Sequence, residues 1–190
     1  MNHEEKEKIV GELYKEVDKV NDKYFNFWKE HTFLHWDWWV SMGLTIIPWL
    51  IWWKYRDKEN TARFMFSAFF IVIISSWLDF LGVVSGLWYY TGKIIPSIPS
   101  YIPWDFCLVP VTMTLLMQIR PEGSPLKKAV LYGVLAAFIG EPLFELIGFY
   151  TRLKWENIYS FPIYILIYLC ADWVSKRKSF GPLSKIVKDQ

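Results

Sequence analysis

The sequence predicts an all-α protein: a polytopic transmembrane helical bundle of about five spans, preceded by an N-terminal amphipathic helix. Three observations carry that prediction. The 190 residues are 53% hydrophobic and 19% aromatic, with 12 Trp, a density that suits aromatic belts at two membrane interfaces. Five apolar stretches follow one another, each near the roughly 17–25 residues that cross a hydrocarbon core. Lys and Arg gather in alternate connections between them. A chain of this length holds one domain with at most an extra terminal element. The net charge of +2 is too small for a nucleic-acid surface. The first thirty residues are charged throughout, which argues against a cleavable leader.

Residues 1–35 hold the amphipathic helix, over about 4–30. Ile9, Leu13, Val17, Val20, Tyr24 and Trp28 recur at steps of three and four, with Glu and Lys on the other faces. Six Lys against eight Asp/Glu make it a poor ligand for an anionic membrane surface. Packing on its own protein, or on a partner, is the expectation. The bundle occupies residues 36–175, with spans at about Trp36–Tyr55, Ala62–Trp88, Trp104–Ile119, Leu126–Phe149 and Ile158–Val174. Pro48, Pro110, Pro142 and Pro162 fall within them, which neighbouring helices in lipid tolerate. Residues 176–190 form a basic tail. Cys107 and Cys170 lie in apolar segments without metal-like spacing and read as buried core residues.

Orientation follows from the basic residues. The linker 54–63, the turn 120–128 and the tail carry twelve Lys/Arg, and the opposite connections carry only Lys93, Arg152 and Lys154. This places the C-terminus in the cytoplasm of a cell-membrane protein. Helix rise then sets depth. Asp79 stands about 24 Å above Arg63, and Glu141 and Glu145 reach a similar height on the fourth span. Those two are i and i+4 and share a face. Asp105 opens the descending third span, and His35 and Asp37 precede the first span on the same side. Asp172, beside Lys176 at the inner end of the last span, reads as a solvated interface residue.

Ionisable groups in hydrocarbon are costly and mark functional sites by default. Asp79, Asp105 and Glu141 are therefore the candidate catalytic residues, with Trp88, Trp104, Glu145 and His35 as candidate ligand-binding neighbours. Leu87 to Pro103, rich in proline and aromatics, reads as an interfacial lid over them. A short internal echo accompanies the acids. Asp79-Phe-Leu-Gly82 leads into Trp88-Tyr89-Tyr90, and Glu145-Leu-Ile-Gly148 leads into Phe149-Tyr150, in the manner of helix-pair repeats.

At Gly86-Leu-Trp-Tyr-Tyr90, Pro103-Trp-Asp-Phe106, Gly140-Glu-Pro-Leu-Phe-Glu145 and Ile158-Tyr-Ser-Phe-Pro-Ile-Tyr-Ile-Leu166, the chain resembles a family of small multi-pass membrane proteins of endospore-forming bacteria. The likeness covers about residues 40–175 and implies the membrane topology without an activity. It is also faintly similar to the lycopene cyclase domain, with Asp79, Gly86–Trp88 and Pro103-Trp104-Asp105 in that order. Phe106 follows Asp105 here, so the paired acids of that domain are missing.

Three functions fit these residues. The first is a structural or accessory interaction protein whose acids are satisfied inside the bundle, with Arg152 and Lys154 as cationic partners and a protein partner or homo-oligomer on the N-terminal helix. The second is a lipid- or isoprenoid-modifying enzyme: a carboxylic acid in an aromatic, apolar pocket resists ionisation and can protonate an alkene. The third is a cation or proton site, with carboxylates as ligands or relays. The residues specify no cofactor and no metal. Soluble-enzyme motifs such as a Gly-rich phosphate loop or a metal-spaced His pair are missing from the sequence.

Overall fold

The structure, a computed structural model, describes residues 1–177. Most of the predicted basic tail therefore lies outside the described residues. Six helices and one two-stranded sheet make up the described residues. The helices are α1 (His3–His31), α2 (Trp36–Tyr55), α3 (Thr61–Val84), α4 (residues 103–118), α5 (Pro125–Leu146) and α6 (Asn157–Ser175). The strands are β1 (Trp88–Tyr90) and β2 (Tyr150–Arg152), paired antiparallel.

Among the described residues, α3, α5 and α6 are long and apolar enough to cross a membrane. The predicted number was five. Two helices fall short for physical reasons. α2 carries six Trp and Pro48, which hydropathy counts as weakly polar, and α4 spans only residues 103–118, about 24 Å of rise. Both nevertheless pack in the same bundle, α2 against the start of α4 and α3 against α4 and α6. The large core holds Trp52, Ile71, Met113, Ala137, Tyr168 and Ala171, all at most 1% exposed. Its outer surface stays apolar, with Ile73, Trp77, Leu131, Ile139 and Leu166 exposed. A soluble protein rarely leaves so continuous an apolar coat uncovered.

Asn2 caps α1 reciprocally with Glu5. Beyond that cap the helix departs from one of its two expectations, packing on its own protein. Its stripe of Ile9, Leu13, Val17 and Val20 is exposed, and Trp28 is the one residue of α1 that is buried. The indole of Trp28 donates to the Lys93 carbonyl at 2.6 Å. The helix is therefore tethered at its C-terminal end and does not lie against the bundle.

Two helices contain a wide turn. In Pro103–Leu108 the Val109 N–H reaches Trp104 O, and in Ala136–Gly140 the Glu141 N–H reaches Ala136 O. Such i→i+5 turns occur mostly as single insertions at functional sites. Proline sits beside both. Pro110 has no N–H for the Phe106 carbonyl, and the Trp49 indole from α2 donates to it instead at 3.0 Å.

Some side chains stand elsewhere than the sequence reading put them. Asp172 does pair with Lys176 at 2.8 Å, but it is buried at 6% exposure, not solvated. Of the two cysteines, Cys107 is buried and Cys170 is exposed; the latter lies on the outer apolar face of α6.

Candidate functional site

Both α3 and α5 end the same way. Their carbonyls at Leu81, Gly82 and Val83, and at Leu143, Phe144 and Glu145, accept from the three residues after each helix in matching order. Gly86 (φ 66°) and Gly148 (φ 81°) supply the left-handed residue that this closure needs. Two residues later each chain enters its strand. The sheet register is symmetric about Tyr89 and Thr151, with Trp88 opposite Arg152 and Tyr90 opposite Tyr150.

This geometry corrects the sequence echo. Asp79 and Glu141, not Asp79 and Glu145, stand seven residues before their respective glycines. The acidic–x–x–Gly match was offset by one helical turn, because the glycines that match in sequence differ from those that match in conformation.

Asp79, Asp105 and Glu141 line one cavity of about 80 Å³. Three helices supply them. Asp79, 6% exposed, receives Trp88 Nε1 and Tyr90 OH at 2.7 Å on one oxygen, and Tyr101 N–H at 2.9 Å on the other. All its donors come from β1 and the crossing. Burial and then the facing Asp79 carboxylate raise the Tyr90 hydroxyl's pKa well above its ordinary value, keeping it a donor; burial raises Tyr101 as well. Asp105, 4% exposed, lies within hydrogen-bonding reach of Asp79. Its Oδ2 has no partner.

Glu141 is reached by two relays. Trp104 Nε1 donates to Tyr164 OH at 2.9 Å, and Tyr164 OH donates to Glu141 Oε1 at 2.9 Å. Trp155 Nε1 donates to Ser160 Oγ at 2.9 Å, and Ser160 also stands beside the Glu141 carboxyl. Glu141 Oε2 is buried without a partner.

The walls are aromatic. Trp88 and Trp104 both line the cavity, as the sequence anticipated, with Tyr90, Tyr101, Tyr150, Trp155 and Phe144. A glycine seats each tryptophan. A Cβ on Gly82 would stand 2.1 Å from the Trp88 ring, and one on Gly140 would stand 2.6 Å from the Trp104 ring. Both glycines fall in motifs that the sequence marked, but their place beneath the two rings was not legible there. Tyr90, Tyr164, Trp155 and Ser160 were missed as well, since their roles depend on contacts across long sequence separations.

Two anticipated residues stay outside the cavity. Glu145 turns to Arg152, with Nε–Oε1 at 3.1 Å and Nη2–Oε2 at 2.8 Å. Arg152 also holds Asn157, and its guanidinium is pushed toward still stronger basicity chiefly by the Glu145 hydrogen bond. Glu145 stands one turn nearer the helix end than Glu141, where β2 presents that arginine. His35 precedes α2 as its cap residue, without a side-chain capping bond, and does not line the cavity.

The crossing does lie over the site. Lys93, 7% exposed, donates to Ile98 O at 3.1 Å and Pro99 O at 2.7 Å. Ser100 Oγ donates to Ser76 O at 2.7 Å, and Tyr101 OH meets Ser41 Oγ at 2.6 Å. Burial lowers the Lys93 pKa to about 8, against an opposing pull from Asp79.

Among the described residues, no group of three His, Cys, Asp or Glu side chains is arranged to hold a metal ion. No family model, curated protein or solved structure matches the chain, so the site is read from its own geometry. That geometry defines a helical protein with an apolar exterior and an acidic cavity beneath an aromatic hairpin.

Proposed function

We propose that the chain is a five-span membrane protein whose outer-leaflet cavity binds a positively charged or proton-donating ligand. One observation carries the reading: acids from three helices face a single aromatic cavity in which Asp105 Oδ2 and Glu141 Oε2 have no partner. Buried acceptors left unpaired are costly, and no Lys or Arg lines the cavity to meet them. The complement is a donor or a cation, which Trp and Tyr faces also favour. Among the described residues no three His, Cys, Asp or Glu side chains are grouped to hold a metal ion, and the reading taken is an organic cation or a proton. Asp79, which accepts three hydrogen bonds, holds the crossing in place and positions Asp105.

α2 and α4 complete the five spans in this proposal. Ile46, Ile47 and Leu50 of α2 are exposed and supply an apolar outer face. The basic linker and the turn after α4 set the C-terminus in the cytoplasm. Single cysteines at residues 58 and 153 test the topology. A membrane-impermeant thiol reagent should label position 153, and not position 58, from outside intact cells. Labelling of both, or of neither, removes the five-span reading.

The ligand reading is tested by isothermal titration of the purified protein with simple alkylamines. Binding that weakens about tenfold or more in Glu141→Gln and Asp105→Asn supports it; unchanged affinity in both variants overturns it. The neighbouring carboxyls of Asp79 and Asp105 in one apolar, aromatic cavity favour a second reading, acid–base chemistry on an unsaturated lipid. Mass spectrometry of host lipids would then show a precursor accumulating with Asp105→Asn. An unchanged lipid profile would rule it out.

A further inference from the structure

Most of the cavity wall is closed by rings, but part of it borders the exterior. Leu78 on α3 lines the cavity and is 41% exposed, and Ile163 on α6 lines it and is half-buried. Ser75 and Ile167, both buried, lie below them toward the inner end of the same two helices. Trp88 and Trp155, in T-shaped contact at 5.2 Å, close the top. This seam runs between two helices that are apolar enough to span a membrane. Asp79 is the one charged residue of α3 after Arg63, and α6 carries none before Asp172. The flanking surface is Trp77, Leu81, Tyr159 and Leu166, all exposed.

An entrance of this kind sorts ligands by shape and polarity. A small hydrophilic cation has no reason to dwell at an uncharged face turned toward lipid tails. A single-chain amphiphile does, since its chain can lie along Leu78 and Ile163 while its head reaches the acids. The acids choose the head. Asp105 is 4% exposed and its Oδ2 is an unpaired acceptor facing the cavity, as is Oε2 of Glu141. A primary ammonium offers three N–H donors to such oxygens, whereas a quaternary ammonium offers none and relies on the aromatic faces alone.

We propose that the ligand is a long-chain primary amine that enters from the bilayer through the α3–α6 seam and places its ammonium between Asp105 and Glu141. This rests on the reading of the cavity as a cation site, and the experiment separates the two. The full-length protein, purified in a neutral maltoside detergent, is titrated with dodecylamine, ethylamine, dodecyltrimethylammonium and dodecanol, followed by tryptophan fluorescence. Dodecylamine is expected to bind at least about tenfold more tightly than each of the other three. Leu78→Trp should weaken dodecylamine and spare ethylamine, and the ligand series stands without it should that variant misfold. Equal binding of ethylamine and dodecylamine would overturn the lateral entry and leave the cation site standing. Equal binding of dodecyltrimethylammonium would overturn the primary-amine head. Equal binding of dodecanol, or no binding by any probe, would overturn both the inference and the cation site.

Discussion

Asp79 and Glu141 stand at equivalent places in two helices, yet their surroundings set different tasks. Asp79 accepts three hydrogen bonds, from Trp88, Tyr90 and the Tyr101 N–H. In Asp79→Asn, an amide that turns its oxygen to Trp88 and Tyr90 turns its NH₂ against the Tyr101 N–H. The expected loss is about 1–3 kcal/mol of stability, read by thermal unfolding in detergent. Glu145→Gln breaks only a pair that is about one-third exposed, and the loss should stay below about 1 kcal/mol. Equal losses in the two variants would contradict the assignment of Asp79 as the positioning acid. Lys93 makes a pH prediction. Its folded pKa of about 8 lies below the ordinary 10.5, so between those values the unfolded chain binds more protons and stability rises with pH. Tyr90 and Tyr101 act in the opposite sense only above their ordinary value of 10. The melting temperature should therefore climb from pH 8 to about 10, and Lys93→Met should remove the climb.

At the scale of elements, the wide turns and the glycines explain how two helices present acids and rings together. Each wide turn is followed by, or contains, a cavity acid: Asp105 within the first and Glu141 at the end of the second. Glycine then acts in two distinct ways. Gly86 and Gly148 are in open space but left-handed, so Ala at either should cost roughly 1–2 kcal/mol through the backbone alone. Gly140 has an ordinary conformation, and there a Cβ collides with Trp104. Gly140→Ala should cost about 1–3 kcal/mol by overpacking and shift tryptophan emission, which Gly148→Ala should leave in place. Fluorescence and unfolding of the two variants check the contrast.

For the whole molecule, the aromatic hairpin joins the C-terminal ends of α3 and α5 into a nearly two-fold unit, and the crossing is fastened beneath α1 and α2. Trp28 and Trp38 donate to successive carbonyls of that crossing, at Lys93 and Ile94. Trp28→Ala should therefore loosen both α1 and the cover of the cavity, measured as faster limited proteolysis near residue 30. Unchanged cleavage would mean that the indole contributes little to holding the helix.

By itself the sequence determined the helical class, the three helices apolar enough to cross a membrane and the similar height of Asp79 and Glu141 along theirs, because composition and a rise of about 1.5 Å per residue are local properties. It also marked Trp88 and Trp104 correctly as neighbours of those acids. The tertiary structure alone decided which carboxyls meet. One helical turn separates Glu141, in the cavity, from Glu145, on Arg152, and periodicity places both on one face. Likewise, only packing shows that the apolar stripe of α1 is exposed, with none of the other described helices against it. Contacts such as Trp104 with Tyr164, or Asp79 with the Tyr101 N–H, join residues far apart in the chain. A single sequence carries no trace of that juxtaposition.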